Sequence, residues 1–344
     1  MKRWYLYPFS LGYGLVIATR NLFFNVGLLR SKKFRTPIIG VGNLSVGGTG
    51  KSPVVMYLAD ILSKNQRRTG VLSRGYGRTS TGYKIVNYKS TYKMVGDEAM
   101  QLFERFKNRI VIGVCEDRAF GAKKIIDDMD LDVLLLDDSF QHRYIEPGMN
   151  ILLTDYSDPF FKDYILPAGD LRESKYGYKR AHIILVTKCP SNLSEEKKQY
   201  YISRIKPQQD QKIFFSSIHY ADNIRSKEEY LPLNNLHYYD ILLITGIASS
   251  KHLLKELNKY SQRIKHIKFK DHHPFSDEDI AKIASEYKNL GEYKLILTTE
   301  KDFVRLKAFG YMQEKLYYWP INILIDKKNE FNQLILEYSS KAQK

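Results

Sequence analysis

Apolar positions fall in short blocks along this chain, separated by polar turns and by longer stretches of helical spacing. "TPIIGVGN" (36–43), "RTGVLS" (68–73), "RIVIGV" (109–114), "DVLLLDD" (132–138), "MNILLTD" (149–155) and "AHIILVTK" (181–188) each carry a compact apolar run. Runs without polar alternation are expected of strands buried on both faces of a parallel sheet. Between them, "KSPVVMYLADILSK" (51–64) places Val54, Val55, Leu58, Ile61 and Leu62 at the spacing of one helix face. Strand and helix in alternation predict an α/β fold of doubly wound parallel type, with ligands at the carboxyl edge of the sheet. A polar link, "ADNIRSKEEYLPLNN" (221–235), then precedes a new strand–glycine–helix unit, "YDILLITGIAS" (239–249), and the later buried run "KLILTT" (294–299). The pattern predicts an N-terminal segment over 1–35, a large domain over 36–224 and a second, smaller α/β domain over 225–326. A C-terminal helix over 327–344 can return to either domain.

The N-terminal stretch "WYLYPFSLGYGLVIATRNLFFNVGLL" (4–29) is apolar and aromatic, with Lys2 and Arg3 before it and Arg30, Lys32, Lys33 and Arg35 after it. Pro8, Arg20 and Asn21 interrupt it, which argues against a spanning helix of ~20 predominantly apolar residues. No A-x-A-like cleavage site follows, which argues against a secretory signal. Two readings remain, a helix lying in a membrane interface with basic flanks on the headgroups, or a core helix; the interfacial one is the expectation.

Composition changes this picture in two ways. With 344 residues, 43% hydrophobic and 27% charged, the chain has enough apolar surface for two ordinary cores. Its formal charge of +16 favours polyanionic partners: nucleic acid, anionic lipid or a phosphorylated substrate. The basic residues are scattered and form no tract, which weakens the nucleic-acid reading. Two distant cysteines, Cys115 and Cys189, provide neither a disulfide framework nor a zinc site.

The chemistry begins at "VGNLSVGGTGKSP" (41–53). The segment Ser45, Val46, Gly47, Gly48, Thr49, Gly50, Lys51, Ser52 has the form of a phosphate-binding loop, with Ser45 standing where the usual pattern has glycine. A strand before it and a helix after it supply the required context: backbone N–H groups wrap phosphates, Lys51 reaches the terminal ones and the Ser52 hydroxyl ligates Mg²⁺. The second half of the site is "LDVLLLDDSFQHR" (131–143), where a buried strand ends in Asp137 and Asp138, either of which can hold Mg²⁺, with Gln141 and His142 just beyond. No guanine-reading N-K-x-D occurs, "TKCP" (187–190) and "TEKD" (299–302) having the wrong spacing. These features predict a Mg²⁺-dependent P-loop NTPase or kinase. "VGDEAM" (95–100) adds Asp97 and Glu98 after a glycine turn, either a proton acceptor for an attacking hydroxyl or acidic residues at a helix start.

In order, "GNLSVGGTGKSP", "SRGYGR", "VGDEAM", "LLLDDSFQHR", "LPAGDLRES", "DHHPF" and "TTEKDFVRL" resemble the motifs of the lipid A 4′-kinases, the tetraacyldisaccharide 4′-kinases, over nearly the whole chain. The resemblance implies a two-domain α/β enzyme on the cytoplasmic face of the bacterial inner membrane. It implies transfer of the γ-phosphate of ATP to the 4′-hydroxyl of a tetraacylated glucosamine disaccharide 1-phosphate. Its partners are then the acylated disaccharide lipid and an anionic membrane surface, without nucleic acid and without an obligate protein partner. By the same resemblance Asp97 is the base, Asp271 and His272 serve the active site from the second domain, and Lys51 acts on the transferred phosphates. Tyr76, Glu98, Arg118, His142, Arg172 and Glu173 are then expected near the sugar or phosphates, and Ser52, Asp137, Asp138 and Gln141 near the metal. Glu300 and Asp302 stand at a strand end, where a ligand or inter-domain role is expected. The rival readings are a P-loop NTPase acting as a metallochaperone or assembly switch, and a nucleic-acid-associated ATPase.

Overall fold

The structure, a computed structural model, describes residues 3–310 and 315–341. Residues 1, 2 and 342–344 of the expected terminal segments lie outside the described residues. The chain divides into two compact units, one running to Ile218 and resuming at Ile323, the other covering His219–Asn322.

The first unit begins with helix α1 (Tyr7–Asn25) and then alternates: β1 (Ile38–Asn43), α2 (Lys51–Lys64), β2 (Thr69–Ser73), β3 (Lys84–Ile85), α3 (Tyr92–Val95), α4 (Asp97–Phe106), β4 (Val111–Val114), α5 (Arg118–Met129) and β5 (Val133–Asp137). It continues with β6 (Met149–Asp155), β7 (Ile183–Thr187), α6 (Glu195–Ile205) and β8 (Lys212–Tyr220). The second unit holds β9 (Asn223–Arg225), β10 (Tyr230–Pro232), β11 (Asp240–Thr245), α7 (Lys251–Leu257), β12 (Ile264–Lys268), α8 (Asp277–Lys288), β13 (Lys294–Thr299), α9 (Glu300–Leu306) and β14 (Leu316–Trp319). Strand β15 (Ile321–Ile325) and helix α10 (Lys328–Ser339) complete the chain.

The first sheet has the order β15-β8-β7-β6-β1-β5-β2-β4-β3. From β8 to β4 every neighbouring pair is parallel, and β3 pairs antiparallel with β4. Strand order reverses around β1, whose neighbours are β5 and β6, so the crevice at their carboxyl ends is the switch point where such folds bind ligands. The continuous apolar runs are explained here: β1, β2, β5 and β7 are buried at every position because helices cover both faces. Val41 pairs with Asp137, which sets the acidic end of β5 beside the loop leaving β1. Gly42 lets the 139–140 turn cross β1 closely; a Cβ there would lie 2.7 Å from Phe140 Cβ.

The C-terminal helix, open in the sequence, packs on the first unit. Tyr57 Oη donates to Asn332 Oδ1 at 2.7 Å, Tyr338 Oη donates to the Ile38 carbonyl at 3.0 Å, and the Phe214 and Phe331 rings meet edge to face.

Helix α1 is apolar on the side that faces away from the protein. Trp4, just before it, and Phe9, Leu11, Leu15, Val16 and Leu22 along it are exposed, Leu15 by 70%. Its polar residues point inward: Ser10 Oγ accepts from the Ala168 N–H, Tyr13 Oη donates to the Arg172 carbonyl, and Arg20 donates to the Gln141 carbonyl. The core-helix reading therefore does not describe this element. Among the described residues no helix is long and apolar enough to cross a membrane.

The second unit is built on its own sheet, β10-β9-β14-β13-β11-β12. Strands β14, β13, β11 and β12 run parallel, and β9 and β10 are antiparallel additions. Leu243, Leu253, Leu297 and Trp319 lie in the core on one face, and Ile244, Phe275, Ile283 and Ile296 in the core on the other.

Candidate active site

The loop between β1 and α2 is held by polar contacts on both flanks. Gly47 and Gly50 take φ of 102° and 86°, conformations open to glycine, so the loop turns tightly into the N-terminus of α2. Val46 N–H donates to the Asp170 carbonyl at 2.7 Å and Arg172 N–H to the Leu44 carbonyl at 2.7 Å, which zips the loop's first half to the 170–172 segment. On the other flank Thr187 Oγ1 donates to the Thr49 carbonyl at 2.8 Å, while Lys188 bridges the Gly48 carbonyl and Asp155. Lys51 Nζ lies 3.2 Å from Asn43 Oδ1 and 3.6 Å from Asp138.

Asp137 and Asp138 sit one after the other but in opposite electrostatic settings. Burial raises the Asp137 carboxyl first and the charge of Asp138 adds to it, so it is pushed up to about 6. Burial acts on Asp138 too, yet the hydrogen bonds from Arg172 and the charges of Lys51, Arg172 and Arg118 outweigh it and hold that carboxyl far below its usual range. The Arg172 guanidinium grips Asp138 with two hydrogen bonds of 2.8 and 3.0 Å and donates to the Asn43 carbonyl at 2.9 Å.

Asp137 Oδ1 and Gln141 Oε1 are buried without a hydrogen-bond partner. Two orphaned oxygens on one turn are costly in an apolar interior and suit a hard cation that takes oxygen ligands. Asp137 and Gln141 therefore fit Mg²⁺.

Beneath this layer lies a polar hub. Glu173 is 2% exposed; it pairs with Arg180 at 2.8 Å and accepts from Gln141 Nε2 at 2.9 Å and Asn21 Nδ2 at 3.3 Å. Gln141 Nε2 also donates to the Asn43 carbonyl at 2.9 Å. Arg118 is buried as well, donating to the carbonyls of Leu72 and Asp137, so it ties the ends of β2 and β5 together. Burial lowers it first, to about 10, a value at which it is still a cation at neutral pH.

Residues 2–340 match the family model described as LpxK, tetraacyldisaccharide-1-P 4′-kinase. The chain belongs to this family. A tetraacyldisaccharide 4′-kinase of Bacteroides thetaiotaomicron is 43% identical over 98% of this chain and 93% of its own, and one of Flavobacterium johnsoniae is 40% identical over 97% and 96%. Among solved structures, LpxK from Aquifex aeolicus, described as an "apo" form in complex with ATP, superposes with a TM-score of 0.78 at 29% identity, covering 98% of this chain and 99% of that one.

Against the 4′-kinase motifs, the structure gathers Lys51, Ser52, Asp137, Asp138, Gln141 and Arg172 around the glycine loop. Tyr76 is exposed on the loop after β2, and the carbonyl of that residue lies 3.0 Å from where a Cβ on Gly96 would be. The residues that follow Gly96, Asp97 and Glu98, open α4 beside that loop, and Glu98 is near enough to Asp137 to raise its carboxyl. His142 is shifted down to about 4, by burial and then by Arg118, and is neutral at pH 7. Glu173 and Arg118, expected near the sugar or phosphates, are both buried; Arg118 bonds the Asp137 carbonyl beside the loop, and Glu173 bonds Gln141, Arg180 and Asn21 of α1. Asp271 and His272 lie in the second unit, on the loop after β12. Asp302, expected to meet a ligand or another domain, is fully buried and bonded to Gly246 N–H, Thr299 Oγ1 and Arg305.

One residue of the 4′-kinase site was missed in the sequence. Asn43 is wholly buried, and its side chain contacts Lys51, Arg172 and the Ser45 carbonyl. The signal was present: a lone amide closing a strand that is otherwise apolar or glycine.

Proposed function

We propose that the glycine loop of the first unit holds ATP and that Lys51, Arg172 and Asp97 carry out transfer of its γ-phosphate to the lipid acceptor. The family is one of ATP-dependent kinases of lipid A biosynthesis, and the acceptor is the 4′-hydroxyl of a tetraacylated glucosamine disaccharide 1-phosphate. The observation that carries the assignment of residues is the convergence of Lys51 and Arg172 on both Asp138 and Asn43 at the mouth of the loop.

In this arrangement Lys51 and Arg172 balance Asp138, and both cations lie where the terminal phosphates of a loop-bound nucleotide would carry charge. Their task is to orient the γ-phosphoryl group and to neutralise the charge that spreads over its oxygens. Ser52, Asp137, Asp138 and Gln141 would hold Mg²⁺, which when bound would further neutralise the phosphate oxygens. Asp97 accepts the proton of the attacking hydroxyl as the new oxygen–phosphorus bond forms and the bond to the β-phosphate oxygen breaks, leaving ADP. A sugar hydroxyl is a weak acid, and a positioned base contributes ~10²–10⁴-fold. We also assign His272 a part in the transfer.

The membrane surface is part of the reading. What supports it is α1, which turns aromatic and aliphatic side chains outward, carries basic residues at its flanks and binds the protein through polar groups. An acylated acceptor is met at a bilayer surface, and an ATP-using enzyme is placed on the cytoplasmic face.

The test is transfer of label from γ-labelled ATP to lipid extract, to RNA or to water alone. Label in the lipid phase supports the kinase, whereas hydrolysis indifferent to lipid would return the metallochaperone reading. Within the active protein, Asp97→Asn should bind ATP normally and turn over slowly. Weaker ATP binding as its sole defect would remove Asp97 from the role of base.

A further inference from the structure

In the second unit the blocks "KDHHPF" and "TTEKDFVRL" fold against each other, and helix α9 supplies the contacts. Asp302, buried at the start of that helix, accepts hydrogen bonds from Gly246 N–H at 2.9 Å and Thr299 Oγ1 at 2.7 Å and pairs with Arg305. Arg305 in turn donates to the His273 carbonyl at 2.9 Å, and His272 N–H donates to the Gly246 carbonyl at 3.2 Å. The loop is thus tied on both sides of His272, whose φ of 58° is a conformation a non-glycine residue keeps only when its surroundings enforce it. The same helix reaches the ring itself: Lys301 Nζ lies 2.7 Å from His272 Nε2, with the Asp271 carboxylate 3.9 Å from that ammonium.

A lysine ammonium offers N–H donors and no acceptor, so Nε2 must be the acceptor of this bond. A neutral imidazole that accepts at Nε2 carries its proton on Nδ1. We propose that Lys301 is a positioning residue that holds His272 in the Nδ1–H tautomer by occupying its Nε2 lone pair, so that the imidazole is not the proton acceptor in phosphoryl transfer. The proposal rests on the reading that His272 takes part in the transfer. It assigns the two functional side chains different work: a carboxylate receives the proton, and the imidazole, with its Nε2 lone pair taken by Lys301, does not. It also gives the geometry of α9 a purpose, since its backbone clamp through Arg305 at His273 and its ring contact through Lys301 at His272 act on one loop.

The experiment uses the full-length protein labelled with ¹⁵N at its eight histidines, with His272→Gln to assign the His272 signals. In the unmodified chain His272 should read protonated at Nδ1 and unprotonated at Nε2. Lys301→Met keeps length and volume but removes the donor; the ring should relax toward the mixture of a free imidazole. Turnover should fall on the order of tenfold or more, as when an outer-shell partner of a functional imidazole is lost, with KM for ATP unchanged. Lys301→Arg keeps a donor and should restore the tautomer and most of the turnover, which a loss of folding would not allow. Retention of the Nδ1–H tautomer in Lys301→Met overturns the proposal. So does unchanged turnover in Lys301→Met when His272→Gln has lost it. If His272→Gln itself turns over at the normal rate, the underlying reading of His272 fails, and the catalytic half of the proposal fails with it.

Discussion

Exchanging the two partners of the Glu173–Arg180 pair separates a structural hub from a substrate contact. The two ends of this ion pair differ in access to water: the Glu173 side chain is 3% exposed and that of Arg180 is 27%. In Arg180→Ala the carboxylate is stranded in the interior, a change that costs about 3–5 kcal/mol when nothing compensates. Here the amides of Gln141 and Asn21 still donate to it, but the packing of Arg180 over the Phe140 ring and its bond to the Phe140 carbonyl are lost. The two corrections roughly cancel, leaving about 3–4 kcal/mol. In Glu173→Gln the shape is retained, a carbonyl still accepts from Gln141, and the partly exposed guanidinium turns toward water, so about 1–2 kcal/mol is expected. The assay is urea unfolding with and without ATP. Two compact units make a single two-state transition a poor assumption, so the transition that ATP shifts is taken as that of the first unit. The double variant Glu173→Gln, Arg180→Met should cost less than the sum of the singles because the pair is coupled. Glu173→Gln costing as much as Arg180→Ala, or lost turnover with stability within about 0.5 kcal/mol of the unmodified chain, would refute the hub and return Glu173 to the substrate.

Three further outcomes are expected. Lys51→Ala should lower turnover by at least ~10²-fold while the fold stays cooperative, because positioning and charge stabilisation make up most of phosphoryl-transfer catalysis; near-normal rates would mean this loop is not the nucleotide site. Asp137→Asn should make the Mg²⁺-free protein more stable at pH 7 and remove its stabilisation by Mg²⁺. Burial, and then Asp138, raise that carboxyl to about 6 when folded, so the stability it contributes is full below its unfolded value and is lost as pH rises through about 6, an effect of up to about 2–3 kcal/mol; a less stable Asn variant across pH 4–7 would contradict this. Replacing Phe9 and Leu15 by Glu should abolish sedimentation with anionic vesicles, which raised salt should weaken for the unmodified chain; vesicle binding that survives both changes would exclude α1 as the attachment.

Much of this protein is written in local pattern. Strands buried on both faces must be apolar at every position, so β1, β2, β5 and β7 stand out as continuous runs without knowledge of their neighbours. A phosphate loop needs glycines, a lysine and a hydroxyl within a few residues, and Lys51 and Ser52 are legible for that reason. The pairing of Val41 with Asp137 is different, because it joins residues far apart in the chain and depends on the strand order reversing at β1. The same holds for Asn43, whose partners Lys51, Arg172 and Gln141 come from three segments, and for Glu173, whose charge is explained only once Arg180, Gln141 and Asn21 surround it. Helix α1 shows the limit most directly. Its residues are apolar in either environment, and only the inward bonds of Ser10, Tyr13 and Arg20 decide which side meets the protein and which side is exposed. The tautomer of His272 is likewise beyond any motif, since it is set by a lysine 29 residues away on a helix that the fold brings to the ring.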